Sequence, residues 1–244
     1  MTHPLQAARR GWFLLLLGTV ALACAFATVT IGTEHDAAAA AGHTHAQLAD
    51  TGTAATSPTS SRAALAFHDQ MRKLWEDHIT WTRLAIVDFA SGSGGFSATA
   101  ARLLANQSDI GDAIKPFYGE EAGNQLTALL DDHINLAVQL LQAAKAGDTA
   151  AFDQAQAQWY ANANEIADFL AAANPRFWPQ QAMRDAMREH LDQTLAEASH
   201  ELGGQYAASV ADYEEIHHHI LEMADLLSAG IIRTFPQRFR PSSG

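Results

Sequence analysis

The stretch EEAGNQLTALLDDHINLAVQLLQAAKAGDTAAFDQAQAQWYANANEIADFLAAANP, residues 120–175, decides the fold. Its first half sets Leu126, Leu129, Leu130, Ile134, Ala137, Leu140 and Leu141 three or four residues apart, the spacing of one face of an α-helix. The tetrapeptide AGDT at 146–149 then closes that helix and caps another. Glycine tolerates the left-handed turn that ends a helix, and Asp or Thr side chains accept from the first free amides of the next. The second helix, about Ala150–Ala173, stops before Asn174-Pro175, because the residue preceding a proline is pushed out of helical geometry. Two long helices on so short a loop must lie antiparallel.

The same grammar extends in both directions. A helix from about Ala63 to Ala90 ends at SGSGG, and a shorter pair is read through FSATAARLLANQSDIGDAI, ending near Pro116. After Asn174-Pro175 a helix runs from near Pro179, a good first-turn residue, to Leu202, and Gly203-Gly204 ends it. The last helix covers about Tyr206–Thr234 and stops before Pro236. The expected architecture is all-α, an up-and-down antiparallel bundle of four to six helices over residues 63–236, followed by a basic tail at 237–244.

Composition agrees and removes several functions. The chain of 244 residues is 48% hydrophobic with 7 Pro, and it lacks the β-branched alternation of strands. A formal charge of −12 argues against nucleic acid as a partner. One cysteine allows neither an intrachain disulfide, a Cys-based zinc motif nor a c-type haem attachment. No Gly-rich phosphate loop or serine nucleophile elbow stands in a strand–turn–helix context.

Residues 1–32 read as a signal peptide or a transmembrane anchor. Arg9 and Arg10 precede GWFLLLLGTVALACAFATVTIG, an uncharged run long enough to span a bilayer, and Glu34 and Asp36 follow it. This predicts an exported protein whose bundle lies outside the cytoplasm, partnered with the membrane through its N-terminal helix if the segment is retained. Residues 33–62 are small and polar and read as a flexible linker.

Four helices carry a histidine on the apolar stripe: His78 in EDHI, His133 in DDHI, His190 in REHL and His219 in HHHI. A helix turns about 100° per residue, so of His217, His218 and His219 only one can face the core. His219 shares the stripe of Ile216 and Met223. In an antiparallel hairpin, residues equidistant from the turn lie side by side. His190 and the 215–219 turn straddle Gly203-Gly204 at about thirteen residues each way, and His133 counted across Gly147 arrives at Asn162. A single polar layer halfway along the bundle follows.

Carboxylates are placed to join it. Glu215 and His219 are four apart on one helix, and Glu165 follows Asn162 by three. The predicted metal ligands are therefore His78, His133, Glu165, His190, Glu215 and His219, with Asn162 as a lesser member. Imidazole and carboxylate without thiolate suit iron, manganese, zinc or copper. The other reading of these residues is a hydrogen-bonded network that fixes helix register in a structural or interaction module.

The segments LWEDHITWTR, FYGEEAGNQLTALLDDHI, WYANANEIADFL and YEEIHHHILEMAD…GIIRTFPQRF resemble a group of exported bacterial all-helical proteins. The resemblance covers about residues 70–240 and implies a helical domain and an exported location, with no activity attached. The mid-bundle His/Glu layer is similar in style to hemerythrin-like and ferritin-like proteins. The Glu-x-x-His pairs of the ferritin-like group are absent here, and the His spacing differs from hemerythrin.

Overall fold

Residues 61–240 are described by the structure, a computed structural model of the chain. The predicted anchor, the linker up to residue 60 and residues 241–244 lie outside them. Six helices follow one another: α1 Arg62–Ser91, α2 Phe96–Tyr118, α3 Glu120–Ala146, α4 Thr149–Ala173, α5 Gln180–Leu202 and α6 Tyr206–Thr234, then a 3-10 turn at Pro236–Phe239. No helix among the described residues is long and apolar enough to cross a membrane.

The punctuation acts as its chemistry requires. Ser61 accepts from the Ala64 amide at the start of α1. Gly147 takes φ 69° to close α3, and Asp148 accepts from the Ala151 amide to open α4. One expectation fails: FSATAARLLANQSDIGDAI forms a single helix, α2, instead of a pair. The polar run at Asn106 and Gln107 looks like a break, but both side chains turn inward and are bonded there. Asn106 donates to the Leu74 carbonyl at 3.0 Å and Gln107 to the Leu103 carbonyl at 2.7 Å. A buried polar residue with a partner is compatible with a continuous helix.

Each helix packs on its sequence neighbours, and α6 returns to pack on α1, so the six close into a ring. Short connections make successive members antiparallel, and α1, α3 and α5 therefore run one way and α2, α4 and α6 the other. The interior divides into three tiers. At the end where α1 begins, an aromatic plug fills the axis: Phe67 meets Phe117 at 5.0 Å between ring centroids, and Tyr118 meets Phe235 at 5.2 Å. Phe239 is buried in this plug, 5.5 Å from both Phe67 and Phe117. The start of the expected basic tail is thus part of the core, because an apolar side chain in the 3-10 turn that follows α6 gains more by burial than in water. The middle tier is polar, and the third, where α1 ends, is lined by small and aliphatic residues.

Helices α2 and α3 approach each other through glycine. A Cβ on Gly111 would stand 2.6 Å from the Gly123 carbonyl oxygen, a backbone atom that cannot swing aside. Alanine would raise helix propensity by about 1 kcal/mol. Overpacking of this kind costs about 1–3 kcal/mol, and the backbone contact places it at the upper end. Gly111→Ala is therefore expected to lower stability by about 1–2 kcal/mol in urea titration, and an unchanged or raised midpoint would contradict the close approach.

Candidate metal centre

The middle tier takes one polar side chain from the midpoint of nearly every helix. His78 of α1, Gln107 of α2, His133 of α3, Asn162 of α4 and His190 of α5 are all buried. Alternate helices supply the imidazoles, and the intervening helices supply amides. His190 stands between the other two, with ring centroids 5.8 Å from His78 and 6.2 Å from His133. Trp75 meets His78 edge-on at 5.8 Å, and Trp159 leans on His133 at 5.3 Å.

The amides fix the ring orientations. Asn162 Oδ1 accepts from His133 Nδ1 at 3.0 Å, and Asn162 Nδ2 donates to the Leu129 carbonyl at 3.1 Å. The proton of His133 is therefore on Nδ1, which leaves a lone pair on Nε2, the arrangement common to metal-ligating histidines. Gln107 Nε2 lies 3.3 Å from His78 Nδ1 and donates to it. Its Oε1 is buried with no partner among the described residues. With Nδ1 accepting, the proton of His78 is on Nε2, and ligation through Nε2 would require the Gln107 amide to give up this bond. His190 Nδ1 and the indole nitrogens of Trp75 and Trp159 are likewise buried without a partner among the described residues.

Burial keeps this tier uncharged. It lowers His78 to about 3, helped by the field of His133 and opposed by the Gln107 bond. Burial lowers His133 to about 4 against the Asn162 bond. His190 falls well below the usual imidazole value through burial and then the fields of His78, His133 and His219. Neutral imidazole is the form that ligates metal.

The other predicted ligands go elsewhere. Glu165 is exposed and borders a surface hollow with Gln125 and Asp168. It precedes Ile166 on α4, whose buried stripe is Trp159, Asn162, Ala163 and Ile166, and so points outward. Glu215 precedes Ile216 on α6 in the same way and is exposed. His219 lies at the edge of the core, its side chain 10% exposed, and its Nε2 donates to the Ala186 carbonyl at 2.9 Å. The Glu215–His219 pair is therefore no interior chelate: four residues bring two side chains to one side of a helix, but this side is the flank of the stripe. Of the triplet, His217 pairs with Glu76 at 3.0 Å and His218 is exposed. Among the described residues no three His, Cys, Asp or Glu side chains are grouped closely enough to hold a metal ion as they stand.

Sequence reading missed Gln107, because the segment that carries it reads as two shorter helices and is one. It also missed a second buried polar cluster at the third tier. Arg83 donates from Nη1 to Glu197 at 2.9 Å and also to Ser209, while its Nη2 lies 3.3 Å from Glu201. Ser209 donates to Glu201 at 2.8 Å.

Fold and site together define an all-helical ring of six with a buried, uncharged imidazole centre. No protein family, curated protein or solved structure matches the chain.

Proposed function

We propose that this protein is an exported helical bundle that binds a transition metal ion on its axis through His78, His133 and His190. The observation that supports the reading is that the His190 ring centroid stands 5.8 Å from that of His78 and 6.2 Å from that of His133, all three neutral and buried on alternate helices. A tetrahedral ion bound at about 2.0–2.1 Å would hold ligand ring centroids about 5 Å apart, so each of these two pairs would have to close by about 1 Å. Three imidazoles and no thiolate suit zinc, iron, manganese or copper, and a fourth position left open to the axis would serve storage, sensing or metal-dependent chemistry. Export rests on Arg9, Arg10 and the uncharged run that follows, and retention of that run would tether the bundle outside the cytoplasm.

The test is elemental analysis of the purified full chain. Wild type, Glu165→Ala and Glu215→Ala are expected to carry stoichiometric metal, whereas His133→Ala and His190→Ala lose it. Chelator is expected to lower the melting temperature of the first three alone. Metal-free wild type whose melting temperature ignores chelator would end this reading.

A second reading has its own observation: the Gln107 and Asn162 amides already pair with His78 and His133. On that reading the tier fixes the register of a structural or interaction module. Replacing the three histidines by leucine would then remove no bound component and would leave the bundle folded.

A further inference from the structure

On the α1-end side of the imidazole tier lies a cavity of about 50 Å³, walled by Ala85, Ala100, Ala137, Trp159 and Ala198 among other apolar side chains. It lies one helical turn from the tier. Thr82, Ala137 and Thr194, which line it, each follow one of the three histidines by four residues, and Leu103 precedes Gln107 by four. Because α1, α3 and α5 run one way and α2 the other, all four steps lead in the same axial direction.

The cavity offers water nothing. Its lining surface is entirely apolar although two threonines border it, because both hydroxyls are turned to their own helices. Thr82 donates to the His78 carbonyl and Thr194 to the His190 carbonyl, each at 2.8 Å. A water needs about two to four polar partners and this lining offers none, so the space favours apolar guests over water. A cavity of about 150 Å³ holds benzene, and by that scale this one holds about two heavy atoms. The small volume results from alanines on four walls, where one larger aliphatic side chain would close it. The plug at the opposite end shows that this sequence fills its axis with rings where no space is kept.

We propose that this cavity is a binding site for a small uncharged apolar molecule, the size of a diatomic gas or a two-carbon hydrocarbon, held one turn from the imidazole tier and joined to it through Trp159. Trp159 links guest to tier, since it walls the cavity and leans on His133 at 5.3 Å. The site needs no metal, so it stands or falls apart from the metal reading.

The probe is xenon, applied to the chelator-treated full chain while protein resonances are recorded. Saturable shifts are expected at the Ala137 and Ala198 methyls, the Trp159 indole and the His133 ring, and they should persist in His190→Ala. Ala198→Leu and Ala100→Leu, which fill the space from two different helices, are each expected to weaken xenon binding at least tenfold. Two variants guard against one failing to fold. Linear, unsaturated shifts in wild type, or equal xenon response in either folded leucine variant, would overturn the proposal. So would saturable shifts confined to the cavity methyls with Trp159 and His133 unmoved, since the guest would then not face the tier.

Discussion

Lowering the pH of the metal-free protein from 6.5 to 4.5 is expected to remove about 5 kcal/mol of folding stability, enough to unfold many domains of this size. His78 and His133 titrate at about 3 and about 4 in the folded chain, and His190 well below its usual value, against 6.5 for an unperturbed imidazole. In the lower part of this window the unfolded chain carries nearly three protons that the folded tier refuses. Glu197 acts in the opposite sense: burial, opposed by Arg83, raises its carboxyl from 4.5 to about 7, so the folded chain holds one proton that the unfolded chain releases. The unfolded state therefore binds about two more protons, and stability falls by roughly 2–3 kcal/mol per pH unit as the solution is acidified. The histidine contribution is present above pH 6.5 and is lost as pH falls toward the folded values. Urea titrations at a series of pH values give the slope directly. His190→Leu should reduce it by about one proton, and a flat or inverted slope across the window would mean that the three imidazoles are not buried together.

Arg83→Met is expected to cost about 3–5 kcal/mol at pH 8, comparable to the acid effect although only one side chain changes. The guanidinium is the cation between Glu197 and Glu201, which are 2% and 7% exposed. Without it two carboxylates remain in a poorly solvated place, with Ser209 donating to only one of them. Leaving a buried charge unpaired costs more than the pair itself contributes. The loss should shrink at pH 5.5. Removing the cation raises Glu197 further, so a proton can neutralise it there, and the penalty returns as pH rises through the folded value. Adding Glu197→Gln and Glu201→Gln to Arg83→Met should restore most of the stability. A loss independent of pH, or no recovery in the triple variant, would assign the effect to lost packing of the arginine stem.

How the site divided between legible and hidden follows from helix geometry. His78, His133 and His190 could be found because a residue on an apolar stripe is buried wherever the helix packs, and because short loops force equal heights on antiparallel neighbours. The same logic fails at stripe edges. Glu165 and Glu215 are each one residue before a buried isoleucine, and a 100° step takes a side chain from the core to water. His219 sits on that margin and found a backbone carbonyl on α5 instead of the axis. Gln107 was hidden because a polar pair inside a helix has the same composition as a loop until its partners are known.

The sequence by itself determined an all-helical chain, five of its six long helices and the alternating direction of neighbours, since periodicity, caps, glycines and prolines act over a few residues. It also determined the height of the polar tier, since loop length sets register. Only the tertiary structure decided that α2 is one helix, that α6 closes the ring on α1, that the third imidazole faces the other two, that Arg83 joins two carboxylates across helices, and that an apolar cavity lies one turn beyond the tier. Each of these depends on the rotation of one helix against another. That angle comes from the packing of many side chains at once, and no single stretch of sequence carries it.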